Sequence, residues 1–179
     1  MSFSAPASTV RRTAASPQAT EHLAACLASQ LRAGDVIALR GDLGAGKTTF
    51  VRGLARALGV PPAHVTSPTF TLLHEHGNGR LPLFHWDVYR LPGPAALADL
   101  GWDEYLSANG VTIVEWADRI EAALPAERLD VFFVEAANAA AHYDAREITF
   151  TGHGPRWANV AAWLAPNENA VENGEKPAC

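Results

Sequence analysis

Apolar residues recur at Leu23, Ala24, Leu27 and Leu31, a spacing that predicts an amphipathic helix over 20–31. Residues 35–40 (DVIALR) are apolar in succession rather than in alternation, which predicts a strand buried on both faces. A glycine-rich turn at 41–46 follows. Residues 47–58 (KTTFVRGLARAL) then predict a second helix, closed by Gly59 and by Pro61 and Pro62. Strands are predicted at 70–76 and 81–86, joined by a hairpin turn of Gly77, Asn78, Gly79 and Arg80. A helical stretch opening on Pro94 runs to residue 100. The apolar strand 111–115 (VTIVE) ends in a carboxylate, strands at 129–135 and 146–151 come next, and a helix at 157–164 closes the pattern. Strands alternating with helices, plus one hairpin, predict an α/β fold with a mixed, mostly parallel sheet flanked by helices.

The pattern leaves two ends without periodicity. Residues 1–16 are rich in Ser, Ala, Thr and Pro and are expected to form a flexible extension. Residues 166–179 (PNENAVENGEKPAC) are polar and are expected to be a disordered tail. Residues 17–165 between them contain no repeat and no linker, and are read as one domain.

Composition narrows the classes of function. The chain has 179 residues, a net charge of -5 and 48% hydrophobic residues, which fits one globular domain. An acidic balance argues against unaided binding to nucleic acid. No apolar run approaches the ~18 residues of a membrane span, and the first twenty residues lack a signal-peptide core. The cytoplasm is therefore the expected location. Cys26 is read as a core residue and Cys179 as a tail thiol. Together they make neither a disulfide framework nor a metal cluster.

The turn after the first strand carries chemistry. Gly41-Asp42-Leu43-Gly44-Ala45-Gly46-Lys47-Thr48 matches G-x-x-x-x-G-K-[ST], with a strand before it and a helix after it. Glycines permit backbone conformations closed to other residues and allow close approach to a phosphate. The bared N–H groups form an anion nest, and the helix that follows points its positive end at the same place. Residues 42–49, namely Asp42, Leu43, Gly44, Ala45, Gly46, Lys47, Thr48 and Thr49, are the candidate nucleotide-binding set. Lys47 is expected to reach the β- and γ-phosphates, and the Thr48 hydroxyl to bind Mg²⁺. The glycines fall at 41, 44 and 46, so the dinucleotide pattern G-x-G-x-x-G is not met. No N-K-x-D guanine motif is present, which favours ATP over GTP.

Such a loop needs a carboxylate near its metal, commonly where a neighbouring strand ends. Asp87 and Glu115 each sit at such a point. Either one can hold the metal while the other orients water. Trp116, next to Glu115, can stack on adenine or simply pack. The hydroxyl-rich turn Thr66-Ser67-Pro68-Thr69 stands where a nucleotide-sensing switch could lie, or is a plain turn. His74 and His76 share a strand face, but no Cys/His spacing suits structural zinc, so the seven histidines are read as surface or packing residues. The arginines are scattered. That disfavours a small-molecule kinase with an arginine-rich lid and gives no sign of an arginine finger.

Four segments in order, GDLGAGKTTF (41–50), SPTFTL (67–72), HWDVYRL (85–91) and VEW (114–116), resemble the bacterial TsaE (YjeE) family over about residues 19–164. This family supplies the ATPase of tRNA threonylcarbamoyladenosine (t⁶A) biosynthesis. The resemblance implies a P-loop ATPase with a mixed sheet, acting with the TsaD- and TsaB-type proteins that transfer threonylcarbamoyl to adenosine 37, and meeting tRNA indirectly through them. It implies that Thr48 and Glu115 ligate Mg²⁺ and that Asp87 is a catalytic acid near the γ-phosphate. Lys47 joins Asp87 and Glu115 in the catalytic set. It further implies that Ser67, Pro68 and Thr69 form the switch and that Trp116 is the nucleotide-side tryptophan. Arg146 is matched too weakly to enter the site.

Overall fold

A computed structural model describes residues 8–136 and 144–165. In chain order the strands are β1 (Ser8–Ala14), β2 (Val36–Arg40), β3 (Leu73–His76), β4 (Leu83–Asp87), β5 (Val111–Glu115), β6 (Arg128–Glu135) and β7 (Arg146–His153). The helices are α1 (Pro17–Ala28), α2 (Lys47–Ala57), α3 (Trp102–Ser107) and α4 (Val160–Trp163). Short 3-10 segments occupy Pro62–His64, Pro94–Leu100, Ala117–Ala123 and Pro155–Trp157.

All seven strands form one sheet in the order β1-β7-β6-β2-β5-β4-β3. The pairings β6/β2, β2/β5 and β5/β4 are parallel, whereas β1/β7, β7/β6 and β3/β4 are antiparallel. The parallel character is thus confined to the four central strands, and the expected mixed sheet is present. Burial explains the apolar runs. In β2, Ile37 and Leu39 join one core with Leu27, Phe50, Leu54 and Phe150, while Ala38 joins the other with Trp86, Trp102 and Val114. Alternate side chains point to opposite faces, so a strand covered on both faces needs no polar position.

Helix α1 starts three residues before the expected Thr20. Pro17 occupies its first turn, and the Ser16 hydroxyl accepts a hydrogen bond from the Ala19 N–H at 3.2 Å. Against it packs α2, which comes close at Gly53. A Cβ there would stand 2.5 Å from the Glu21 Cα.

Three expectations are corrected. Residues 8–14 are not loose: they form β1, paired antiparallel with β7 from Ser8↔Gly152 to Ala14↔Arg146. The strand expected at 70–76 begins only at Leu73, because Pro68 O accepts the N–H groups of Thr71 and Leu72 and makes a turn, with Leu72 left-handed at φ 66°. The expected closing helix at 157–164 is split into a 3-10 turn and the single turn of α4. Cys26 is buried in α1 as part of the core, as expected. Residues 1–7 and 166–179, including Cys179, lie outside the described residues, and so does the expected tail.

Candidate functional site

The loop 41–46 leaves the C-terminal end of β2 and enters α2, at the edge where the parallel strands β4 and β5 also end. Gly41, Gly44 and Gly46 have φ values of 133°, 77° and 106°, a region in which a side chain is strained. Gly46 caps α2 without a side-chain bond, so the first N–H groups of the helix, which have no partner within it, face the cleft.

Lys47 folds back over this loop. Its Nζ donates to Gly41 O at 2.6 Å and Asp42 O at 2.8 Å, and stands 3.7 Å from the centroid of the Trp116 ring. Burial lowers its pKa from the ordinary lysine value, opposed by the negative charges of Glu115, Asp87, Asp118 and Asp42.

Asp87 and Glu115 are direct partners in the parallel register of β4 and β5. They are 1% and 2% exposed, so both must find hydrogen bonds. Glu115 accepts from the Thr48 hydroxyl, at 2.9 Å to Oε1 and 3.0 Å to Oε2, and from His85 Nε2 at 2.8 Å. Asp87 Oδ2 accepts from Ser67 Oγ and Thr69 Oγ1, each at 2.6 Å, and its Oδ1 accepts from the Tyr89 N–H at 3.0 Å. The end of β4 therefore fastens the turn 67–69.

These groups border one open cleft of about 270 Å³, lined by Leu43, Gly44, Ala45, Gly46, Lys47, Thr48, Thr49, Ser67, Thr69, Asp87, Glu115 and Trp116. Asp42 and Pro68 stand outside the lining. They contribute backbone carbonyls, Asp42 to Lys47 and Pro68 to the turn. Trp116 is left-handed at φ 63°, and its ring packs against both Lys47 and Tyr89, whose ring centroid is 4.8 Å away. A bulky residue in that region is a genuine backbone outlier.

Two side chains near the cleft carry more than the sequence reading assigned them. His85 lies on the same face of β4 as Asp87, and the two-residue spacing was the available signal. Arg146 Nη2 lies 3.4 Å from Gly44 O, beside the loop. His74 and His76 have their rings 6.2 Å apart, and no metal-holding His/Cys/Asp/Glu group occurs among the described residues. No described helix is long and apolar enough to cross a membrane.

A glycine-bent loop at the end of the central strand, opening the helix behind it, makes this a P-loop α/β protein. The family profile described as "Threonylcarbamoyl adenosine biosynthesis protein TsaE" matches residues 14–147. The chain belongs to that family. It is 45% identical over 153 residues to the tRNA threonylcarbamoyladenosine biosynthesis protein TsaE of Bacillus subtilis, covering 86% of this chain and 92% of that one. Its counterpart in Streptomyces coelicolor is 46% identical over 138 residues, covering 75% and 90%. The crystal structure of Bacillus subtilis YdiB aligns with a TM-score of 0.73 at 38% identity, over 94% of this chain and 99% of that one.

Proposed function

We propose that this chain binds ATP with Mg²⁺ and hydrolyses it slowly, in support of threonylcarbamoyl transfer to adenosine 37 of tRNAs that read codons beginning with adenine. It acts in the cytoplasm with TsaD- and TsaB-type transfer proteins and meets tRNA through them. The observation that carries this reading is the convergence of Lys47, Thr48, Asp87 and Glu115 on one cleft.

Phosphoryl transfer needs positioning and charge stabilisation more than covalent chemistry. Backbone N–H groups of 43–48 bind the phosphates, and Lys47 leaves its carbonyl partners to reach the β- and γ-oxygens. The Thr48 hydroxyl and Glu115 carboxylate are hard oxygen donors side by side, a set that fits Mg²⁺. When bound, the ion neutralises charge on the phosphate oxygens. Asp87 orients the attacking water. Trp116 borders the nucleotide.

Slow turnover follows from the surroundings. No arginine lines the cleft among the described residues. Arg90 lies over the Phe70 ring and Arg119 over the Tyr89 ring. An arginine supplied to such a site is worth about 10³–10⁵ in rate, so partner proteins are expected to accelerate hydrolysis.

A second reading, in which nucleotide state gates docking and hydrolysis is incidental, is favoured by the bonds from Asp87 to Ser67 and Thr69. Nucleotide entering beside Asp87 competes for those bonds and releases the turn. One experiment separates the two readings. Lys47→Ala and Asp87→Asn variants are tested for ATP binding by calorimetry, for turnover with and without the transfer proteins, and for t⁶A formation in cells lacking the native protein. Loss of t⁶A in an Asp87→Asn variant that still binds ATP supports hydrolysis. Retained t⁶A in that variant supports gating. Absence of ATP binding by the intact chain removes both.

A further inference from the structure

One buried polar side chain behind the cleft has no part in the reading above. His85 is fully buried on β4, flanked in sequence by Phe84 and Trp86. A buried imidazole is costly unless its nitrogens are hydrogen-bonded. Its Nδ1 has no partner among the described residues, and its Nε2 lies 2.8 Å from Glu115 Oε1. An ionised carboxylate only accepts, so the hydrogen on Nε2 is the one donated. A phenylalanine or leucine would fill this apolar place without leaving a nitrogen unsatisfied. What histidine adds is one directional bond, and all of it falls on Glu115.

The direction of that bond matters. In the register of β4 and β5, His85 pairs with Ile113 and Asp87 pairs with Glu115, so His85 reaches Glu115 from one step behind the strand end. Thr48 approaches the same carboxylate from α2. Oε1 is therefore held from two elements, whereas Oε2 meets only the shared Thr48 hydroxyl. A glutamate side chain has several rotamers of similar energy, and two donors on one oxygen select among them.

We propose that His85 is a positioning residue: it fixes the Glu115 rotamer so that the less engaged Oε2 is presented to Mg²⁺. The inference rests on the reading of Glu115 as a metal ligand. Partners that orient a ligand from behind typically alter metal affinity by about 10–100-fold when removed.

The test is calorimetric binding of a non-hydrolysable ATP analogue to the full chain, with Mg²⁺ and again with chelator. The affinity gained from Mg²⁺ is the readout. His85→Phe is expected to lower that gain by about 10–100-fold while leaving chelator affinity unchanged. His85→Gln, which retains a donor of similar reach, is expected to restore it. His85→Asn, too short to reach, is not. An unchanged gain in His85→Phe overturns the proposal, and so does an equal loss with and without metal, which marks a merely structural role. If His85→Phe does not fold, the Gln and Asn variants decide, and equal behaviour of the two overturns the proposal. Glu115→Gln is run beside them. If it keeps the Mg²⁺ gain, the metal reading of Glu115 fails and this inference with it. If it loses the gain while His85→Phe keeps it, only the role of His85 fails.

Discussion

The Thr48 hydroxyl donates to the Glu115 carboxylate at 2.9 Å, tying the first turn of α2 to the end of β5 across the cleft. In the proposed function the same two groups are the oxygen donors offered to Mg²⁺, so this bond would be exchanged when the ion enters. Thr48→Val keeps the shape and removes the donor. It is expected to abolish the Mg²⁺-dependent part of ATP affinity. It should also destabilise the free protein by about 1–3 kcal/mol, because a buried carboxylate loses a partner. Thr48→Ser should restore both. Calorimetry and urea unfolding measure the two effects, and a valine variant with undiminished Mg²⁺ dependence refutes the assignment.

Asp87 grips the turn 67–69 through two hydroxyls at 2.6 Å. Ser67→Ala combined with Thr69→Val leaves Asp87 with the Tyr89 N–H alone. The double variant is expected to lose at least about 1.5 kcal/mol, since bonds to a charged acceptor are the stronger kind. Cleavage by added protease should concentrate between residues 67 and 72. Equal protease resistance in the variant and the parent would show that Asp87 does not hold this turn.

His76 provides a pH dependence of stability. Burial, with smaller contributions from His85, His74 and His64, lowers its pKa from 6.5. The folded state therefore binds a proton less readily than the unfolded chain. Stability from this group is complete above about pH 6.5, the unfolded value, and falls as pH drops below it toward the lowered folded value. Unfolding midpoints in urea at pH 7.5 and pH 5.5 should differ, and His76→Gln should narrow the difference. An identical difference in the variant removes His76 as its source.

Gly53 lets α1 and α2 approach. Gly53→Ala places a methyl against the Glu21 backbone, with 2.5 Å to its Cα. A rise in helix propensity opposes this, but backbone cannot swing aside as a long side chain can. A net loss of about 1–3 kcal/mol is expected, read by thermal or urea unfolding. A stabilised variant would mean that the helices separate freely.

The part of the fold proposed to hold the phosphates was legible because its signals are local. Residues 35–58 carry a buried strand, a glycine turn and a helical period in unbroken order, and β2, the loop and α2 lie where that order predicts. Asp87 and Glu115 were legible as strand ends, and their pairing follows from the register of β4 and β5. β1 was not legible. Its sequence STVRRTA has charges at adjacent positions, so it shows no alternation, and its partner β7 lies more than 130 residues away along the chain. His85 was hidden for a related reason. A histidine in an apolar run reads as packing until the neighbouring strand shows what its nitrogen meets. Phe70 illustrates a local conflict: its apolar side chain suggested a strand, but the turn after Pro68 leaves it 84% exposed.

The lateral edge formed by β1 has a practical consequence. The first fourteen residues look like a ragged leader that could be trimmed before crystallisation or replaced by an affinity tag. Removing them would strip β7 of its backbone partners along the edge that faces away from β6, from Arg146 to Gly152, and take away Arg12, whose Nε donates to Leu164 O at 2.8 Å behind α4. A shortened version is thus expected to expose a sticky sheet margin and aggregate, whereas fusion ahead of Met1 leaves that margin sealed.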